Sequence, residues 1–476
     1  VNKKPLFKLS FFFLLFFVFS KSLYSLNCPP VVGDNTQNLK NCIDQAKNSD
    51  LIVFLSGGRY PISEQIIVSE SVSIVGIGTL WGTVLDINFG QDQTSKDLAA
   101  FVLKNYASLD GITFNYPVQQ KGYRLKMFPP TVSVQGSFCR VKNSFFPNSY
   151  IGIEASVPHG KLNLLNLEFG VYFRAIQIDQ CYDIDKIDVI HANPGMFRTW
   201  KDDSDIFSWM MENSATLEVG RIDWLYVNQF FAFGTKYGIL ITESEHGTVG
   251  DAQIIQAGCD ACRFGIYSDN KKHFPWLITI SNFSGTAFDP ATGGGSGMGI
   301  YLKNIKGVNI TNSNFWGVRD DGIYIEKSSS VILSGNVFHN NSWNMSKGGF
   351  SAIHLVNCNR GTIIANSGSN NIKGSYGIRI EGGSSINILG NAFDVPIFIE
   401  NGAKDIFVMG NTGCTYDETN DSSNRIDVYC RGIPYDGEIK IPKINPGSGK
   451  RPYQSKLNLA FFSSFISVLF ILFYKF

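Results

Sequence analysis

The sequence predicts an all-β solenoid: a parallel β-helix built from one chain and closed at its N-terminus by a short capping helix. Three observations carry this reading. The composition is rich in glycine (47) and phenylalanine (38) and low in charged residues (17%), which suits short strands joined by many turns and excludes a disordered or long-helical chain. A unit recurs from about residue 296 to 412. Within each unit apolar residues alternate with period two, and no 3.6-residue pattern is present.

The first half of the unit reads Gly299-Ile-Tyr-Leu, Gly322-Ile-Tyr-Ile, Ser351-Ala-Ile-His-Leu, Gly377-Ile-Arg-Ile and Pro396-Ile-Phe-Ile. The second half reads Val308-Asn-Ile-Thr-Asn-Ser-Asn-Phe, Val331-Ile-Leu-Ser-Gly-Asn-Val-Phe, Ile386-Asn-Ile-Leu-Gly-Asn-Ala-Phe and Ile406-Phe-Val-Met-Gly-Asn. Gly299 and Gly322 are 23 residues apart, as are Ile310 and Leu333, and periods of about 20–30 indicate a solenoid. Leucine-rich framing is absent. Asn314, Asn336, Asn391 and Asn411 are expected at equivalent turn positions, where asparagine tolerates the left-handed conformation and its amide can bond the next asparagine in the stack. At the other end, Asn38–Lys47 reads as an amphipathic helix with Leu39, Cys42, Ile43 and Ala46 on one face, fit to cover the first coil.

The stretch from Asp34 to Lys47, followed by Ile52-Val-Phe-Leu-Ser-Gly-Gly-Arg-Tyr-Pro-Ile and Val72-Ser-Ile-Val-Gly-Ile-Gly, resembles the opening of pectate-lyase-superfamily proteins. The resemblance extends over most of residues 30–412. It implies a right-handed parallel β-helix and an extracellular polysaccharide as ligand or substrate.

The two ends bear on location. Residues 1–25 hold Lys3-Lys4, the apolar run Leu9–Phe19 and the small residues Ser20, Ser22 and Ser25, the pattern of a signal peptide. Residues 450–476 contain a second apolar run, Leu457–Tyr474, behind Gly447-Ser448-Gly449 and a basic spacer. That is the pattern of a GPI-anchor signal or of a terminal membrane anchor. Between them we expect an N-terminal cap with the first coils (26–125), the β-helix body (126–412) and a C-terminal cap or linker (413–449). Lysines and arginines in the two ends outweigh the net charge of +1, leaving the body with seven more acidic than basic residues. An acidic body argues against nucleic acid, whose affinity rests on phosphate neutralisation. The expected partners are a polysaccharide and, through the tail, a membrane. Sequons at Asn282, Asn309, Asn340, Asn344 and Asn420 agree with a secretory route. Among nine cysteines, Cys28–Cys42 and Cys414–Cys430 suit local bridges near the ends, and Cys259-Asp-Ala-Cys262 suits a structural role better than a zinc half-site that lacks its second pair.

Candidate chemistry gathers where the repeat is broken. His191–Asn213 carries Trp200 and Trp209 beside Arg198, Asp202, Asp203 and Asp205; aromatic faces next to carboxylates suit sugar rings, although such a loop can also fold back on the coil. Next come Gly220-Arg-Ile-Asp-Trp and Gly238-Ile-Leu-Ile-Thr-Glu-Ser-Glu-His-Gly, a stretch similar to glycoside-hydrolase-like bacterial β-helices. Asp223 and Glu245 are 22 residues apart, about one coil. We expect them on adjacent strands about 4.8 Å apart, with Glu243 as a further acid and Arg221, Trp224 and His246 contacting substrate. Such a pair could serve a glycosidase as acid and nucleophile or base.

A rival site is Arg319-Asp320-Asp321, with Arg379-Ile-Glu381 beyond it. It resembles the Asp-Asp and Arg-Ile-Lys elements of polygalacturonases, which implies catalytic Asp320 and Asp321 and substrate-binding Arg319. It departs from them in lacking Gly-His-Gly, with His354 lying in Ala-Ile-His-Leu, and in placing Glu381 where lysine belongs. No metal site is expected and no cofactor, unless calcium serves a lyase. The alternatives left open are a glycoside hydrolase, a calcium-dependent lyase and a non-catalytic glycan-binding surface protein.

Overall fold

The computed structural model describes residues 25–49, 51–93, 98–119, 125–195, 204–287, 297–342, 349–369, 375–400, 402–412 and 425–426. The expected leader, the C-terminal cap and tail, and the Cys414–Cys430 bridge therefore lie outside the described residues, apart from Ser25 and the short strand Arg425–Ile426.

Chain alternation sets the architecture. One sheet takes a single strand from each coil, thirteen among the described residues, from Ile66–Val68 to Ile397–Ile399. The remaining strands, one or two per coil, form the other walls and pair in parallel from coil to coil. Among the described residues one antiparallel ladder interrupts this, Glu243–Ser244 against Thr248–Gly247. Coil length is not fixed. The inward stack Ile300↔Ile323↔Ile353↔Ile378↔Ile397 advances by 23, 30, 25 and 19 residues. These isoleucines are almost fully buried, so period-two alternation builds one continuous apolar column.

Phenylalanine fills the corners. Phe114, Phe146 and Phe169 stack with centroids 4.9 Å apart at each step, and Phe315 stacks on Phe338 at 5.0 Å. The N-terminal helix α1 (Thr36–Lys47) buries Leu39, Cys42, Ile43 and Ala46 against the first coil, as expected from their spacing. Asp34 accepts from Thr36 N–H and from the Ser63 hydroxyl, tying the helix start to the second strand of the coil. A disulfide joins Cys28 to Cys42. Cys259 is bonded to Cys262, a structural link within one strand, and Cys139, Cys181 and Cys358 are buried thiols.

The asparagine ladder exists with one member changed. Asn336, Asn366, Asn391 and Asn411 are buried and joined: each Nδ2 donates to the next Oδ1 at 2.9, 2.9 and 2.8 Å. Asn314 does not belong to it. The register pairs Asn314 with Val337, and Ser313 holds the ladder position, donating its N–H to Asn336 Oδ1. The left-handed residue is also one place earlier than expected, at Asn312, Gly335, Ala365, Gly390 and Gly410. The backbone turns there, and the following residue, Ser313 in the first case and asparagine in the other four, is buried. Replacing Asn366 with alanine strands Asn336 N–H and the Leu333 carbonyl. The expected cost is about 1–3 kcal/mol, read as faster hydrogen exchange in the neighbouring coils.

Candidate functional site

Four side chains singled out in the sequence meet at one place. Arg221, Asp223, Trp224 and His246 line an open groove of about 830 Å³ on the many-stranded wall, with Asp251, His273, Trp276 and Lys306. Its floor is two long strands, Ile222–Phe233 and Gly247–Cys262, and the shorter Leu277–Ser281. Arg221 organises one wall. Its guanidinium donates to the Cys181 carbonyl at 2.6 Å and to Asp223 Oδ1 at 2.7 Å and lies over the Tyr182 ring, while its N–H donates to Asp179.

The opposite wall is the segment 271–276. Glu243 holds it by accepting three successive backbone N–H groups, from Lys271, Lys272 and His273, at 2.7–3.0 Å. Burial opposes ionisation of Glu243, but these three donors prevail and hold its carboxyl below the ordinary value. Glu243 thus anchors the loop rather than facing the groove. The backbone N–H of Trp276 donates to the Gly250 carbonyl, and Lys306 Nζ lies 5.0 Å from its ring centroid. Trp276 and Trp224 are 68% and 44% exposed, leaving indole surface free for a ligand.

The expected Asp223/Glu245 pairing is corrected by the register. Ile222 pairs with Val249 and Trp224 with Asp251, so Gly250 stands beside Asp223. The coil is 27 residues long here because the hairpin Glu243–Thr248 adds length. Glu245 sits at the hairpin tip with its side chain 86% exposed and 3.5 Å from His246. The carboxyl that the next coil does bring into the groove is Asp251. Its Oδ1 is buried with no hydrogen-bond partner among the described residues, and burial raises its pKa. Asp251 was missed because the two coils were aligned on glutamate; aligning Ile222-Asp-Trp-Leu with Val249-Gly-Asp-Ala would have found it. Trp276, outside any motif, carries no sequence signal.

Trp200 lies outside the described residues. Trp209, in the second helix α2 (Ser204–Asn213), packs towards Tyr150 and Phe173 with centroids 6.2 and 6.0 Å away, so this ring folds back onto the coil.

The rival residues converge on the thirteen-stranded sheet. Asp321 Oδ2 is 3.3 Å from His354 Nδ1, and His354 Nε2 is 2.9 Å from Glu381, which also pairs with Arg379 at 2.6 Å. His354, remote from the polygalacturonase spacing, thus reaches the carboxylates from the next coil. Asp320 and Asp321 are nevertheless buried caps: they accept N–H groups from Gly297 and Ser351 at 3.0 and 2.6 Å, with Arg319 buried alongside in sequence. Burial pushes the Asp321 carboxyl up against the opposing influence of His354. Above them Tyr267, Tyr301 and Tyr324 stack at 4.7 and 5.0 Å. Each ring covers the next, leaving little free face on which a sugar could stack.

Comparisons with known proteins bear on the fold. A family model described as "Periplasmic copper-binding protein (NosD)" matches residues 211–425, just under half of the chain. The pre-mature bacteriophage phi29 gene product 12 superposes with a TM-score of 0.57 at 12% identity; 88% of this chain covers 60% of that one. The chain is a right-handed parallel β-helix. Weaker likenesses are to the Azotobacter vinelandii mannuronan C-5 epimerase AlgE6 A-module (TM-score 0.41, 15% identity, 80% of this chain and 96% of that one) and the Streptococcus pneumoniae surface protein and adhesin PfbA (0.49, 11%, 81% and 100%). No curated protein matches the sequence. Among the described residues, no group of three His, Cys, Asp or Glu side chains with ligand atoms within 4.8 Å of one another falls in the segment matched by this family model.

Proposed function

We propose that this chain is an extracellular, glycoside-hydrolase-like enzyme that cleaves a polysaccharide in the groove between Arg221 and Trp276. The observation that carries this is the pair of unlike carboxyls opening into one groove from adjacent coils. Asp223 is paired with Arg221, and Asp251 is desolvated with a partnerless oxygen. Strands of adjacent coils lie about 4.8 Å apart, the scale on which glycosidase carboxyls act, about 5–5.5 Å in retaining and about 6.5–9.5 Å in inverting enzymes. In this reading Asp251 gives its proton to the glycosidic oxygen as the C–O bond breaks. Asp223 either attacks the anomeric carbon or takes a proton from the water that does. Trp224 and Trp276 hold the apolar faces of flanking sugar rings. Export is supported by the leader pattern at 1–25 and agrees with the periplasmic description of the matching family model; membrane tethering rests on the pattern at 450–476.

The test is incubation of residues 26–449 with a panel of polysaccharides, with and without calcium. Release of reducing ends is the expected result. Calcium-dependent products with a double bond, absorbing in the ultraviolet, would make it a lyase. Binding without any cleavage would establish the glycan-binding reading, which the two exposed indoles also favour. Under either binding or hydrolysis, Trp276→Ala is expected to weaken retention on the recognised polymer several-fold in affinity electrophoresis, with the fold unchanged.

A further inference from the structure

Behind the Arg221 wall of the groove lies a fully buried group that the proposed reaction does not use. His159, Cys181 and Asp185 each present one ligand atom, and these atoms lie within 4.8 Å of one another. Two adjacent coils deliver them, Cys181 and Asp185 coming from one strand. His159 forms an isolated bridge with Cys181 just before the strand Asn163–Phe169, and Cys181 opens the strand Cys181–Ala192. A register shift between Cys181 and Ile184 then turns the chain so that Asp185 faces back towards the histidine.

The hydrogen bonds around the imidazole fix what the group requires. His159 Nδ1 is 2.8 Å from the Val157 carbonyl, which can only accept, so Nδ1 carries the hydrogen. The other ring nitrogen, Nε2, then faces Asp185 Oδ2 at 3.0 Å. Two lone pairs at that distance repel unless a cation lies between them, whether a proton or a metal ion. The remaining Asp185 oxygen is fixed by Leu162 N–H at 2.9 Å. A carbonyl orienting the far side of the imidazole and an amide anchoring the carboxylate are the outer contacts that metal-ligating histidine and aspartate commonly have. The thiol of Cys181 supplies a third donor, and its backbone is held from both sides: its N–H donates to the Arg221 carbonyl and its carbonyl accepts from the Arg221 guanidinium.

We propose that His159, Cys181 and Asp185 form a structural metal site for a borderline-soft divalent ion, zinc(II) in the first instance, which locks the wall carrying Arg221. A nitrogen, sulfur and carboxylate set selects zinc over the hard cations calcium and magnesium, which take oxygen ligands. Three protein donors leave one tetrahedral position for a solvent molecule. The site lies outside the segment matched by the copper-binding family model and depends on neither Asp223 nor Asp251, so it stands or falls separately from the hydrolase reading.

Because the group is buried, the test loads metal during folding. Residues 26–449 are refolded from denaturant with zinc(II), desalted and analysed for metal; a parallel sample is refolded with cobalt(II) and its absorption spectrum recorded. The proposal expects one ion per chain and, for cobalt, a thiolate-to-metal charge-transfer band with intense tetrahedral d–d bands. The conservative variant Cys181→Ser should lose the charge-transfer band and the tight ion while keeping the circular dichroism of a β-helix. Refolded chain that retains no zinc, or a cobalt spectrum without a thiolate band, would reduce the group to a buried histidine–aspartate pair. Metal uptake unchanged in Cys181→Ser would place the ion elsewhere and overturn the assignment.

Discussion

Replacing Asp251 with asparagine is expected to lower the rate of polysaccharide cleavage by about 10²–10⁴-fold, the usual contribution of a positioned general acid. Asparagine keeps the shape of the side chain but has no proton to give, so binding should survive. The pH dependence supplies an independent signature. Burial raises the Asp251 pKa above the ordinary aspartate value, and a general acid acts only while protonated. Activity should therefore fall as pH rises through that raised value. In the Asp251→Asn chain the residual rate should lose this alkaline limb, measured as kcat/KM across a pH series. A variant that retained full activity would remove Asp251 from the chemistry.

The second large effect is on stability. Phe146 is fully buried and sandwiched between Phe114 and Phe169 at 4.9 Å on either side. Truncation to alanine removes its apolar burial, leaves a cavity that the stacked coils cannot collapse and breaks two ring contacts. The expected cost is about 3–5 kcal/mol, within which each aromatic pair contributes about 0.5–1.5 kcal/mol. Each coil packs on its immediate neighbours, so the loss is local before it is global. Hydrogen exchange in the strands Arg140–Phe146 and Asn163–Phe169 should accelerate ahead of the transition seen in denaturant. A cost below about 1 kcal/mol would mean that the corner repacks.

These effects also show where the sequence was readable. The alternation in Gly299-Ile-Tyr-Leu and its successors dictates which side chains face inward, and the structure stacks those isoleucines with almost no exposure. The helix face Leu39, Cys42, Ile43 and Ala46 was equally plain, because burial on one side of a cap leaves a periodic trace. Register was harder. One residue separates Asn314 from the ladder position at Ser313, and the two are chemically similar enough that spacing alone misplaced the member. The groove was half legible. Arg221, Asp223, Trp224 and His246 stand out as a cluster of reactive types, and the fold does gather them. Their partner was misread because the hairpin at Glu243–Thr248 lengthens the coil to 27 residues, which moves Glu245 to an exposed tip and brings Asp251 in. A fixed period cannot anticipate an inserted hairpin. His354 illustrates the same point from the other side: it is far in sequence from Asp321 and Glu381, yet lies within hydrogen-bonding distance of both because the coils stack.

The claim that the glycan occupies the groove between Arg221 and Trp276 is tested most directly by a hydrogen-exchange footprint. The Asp251→Asn chain, expected to consume its ligand only slowly, is saturated with oligosaccharides from the polymer that the wild-type chain recognises. Protection should appear in residues 247–262 and 271–281, where the floor strand and the Trp276 loop meet the ligand. Protection confined instead to 323–326, 351–356 and 376–381, on the tyrosine-lined sheet with His354, would contradict the account and move the site to the opposite set of carboxylates.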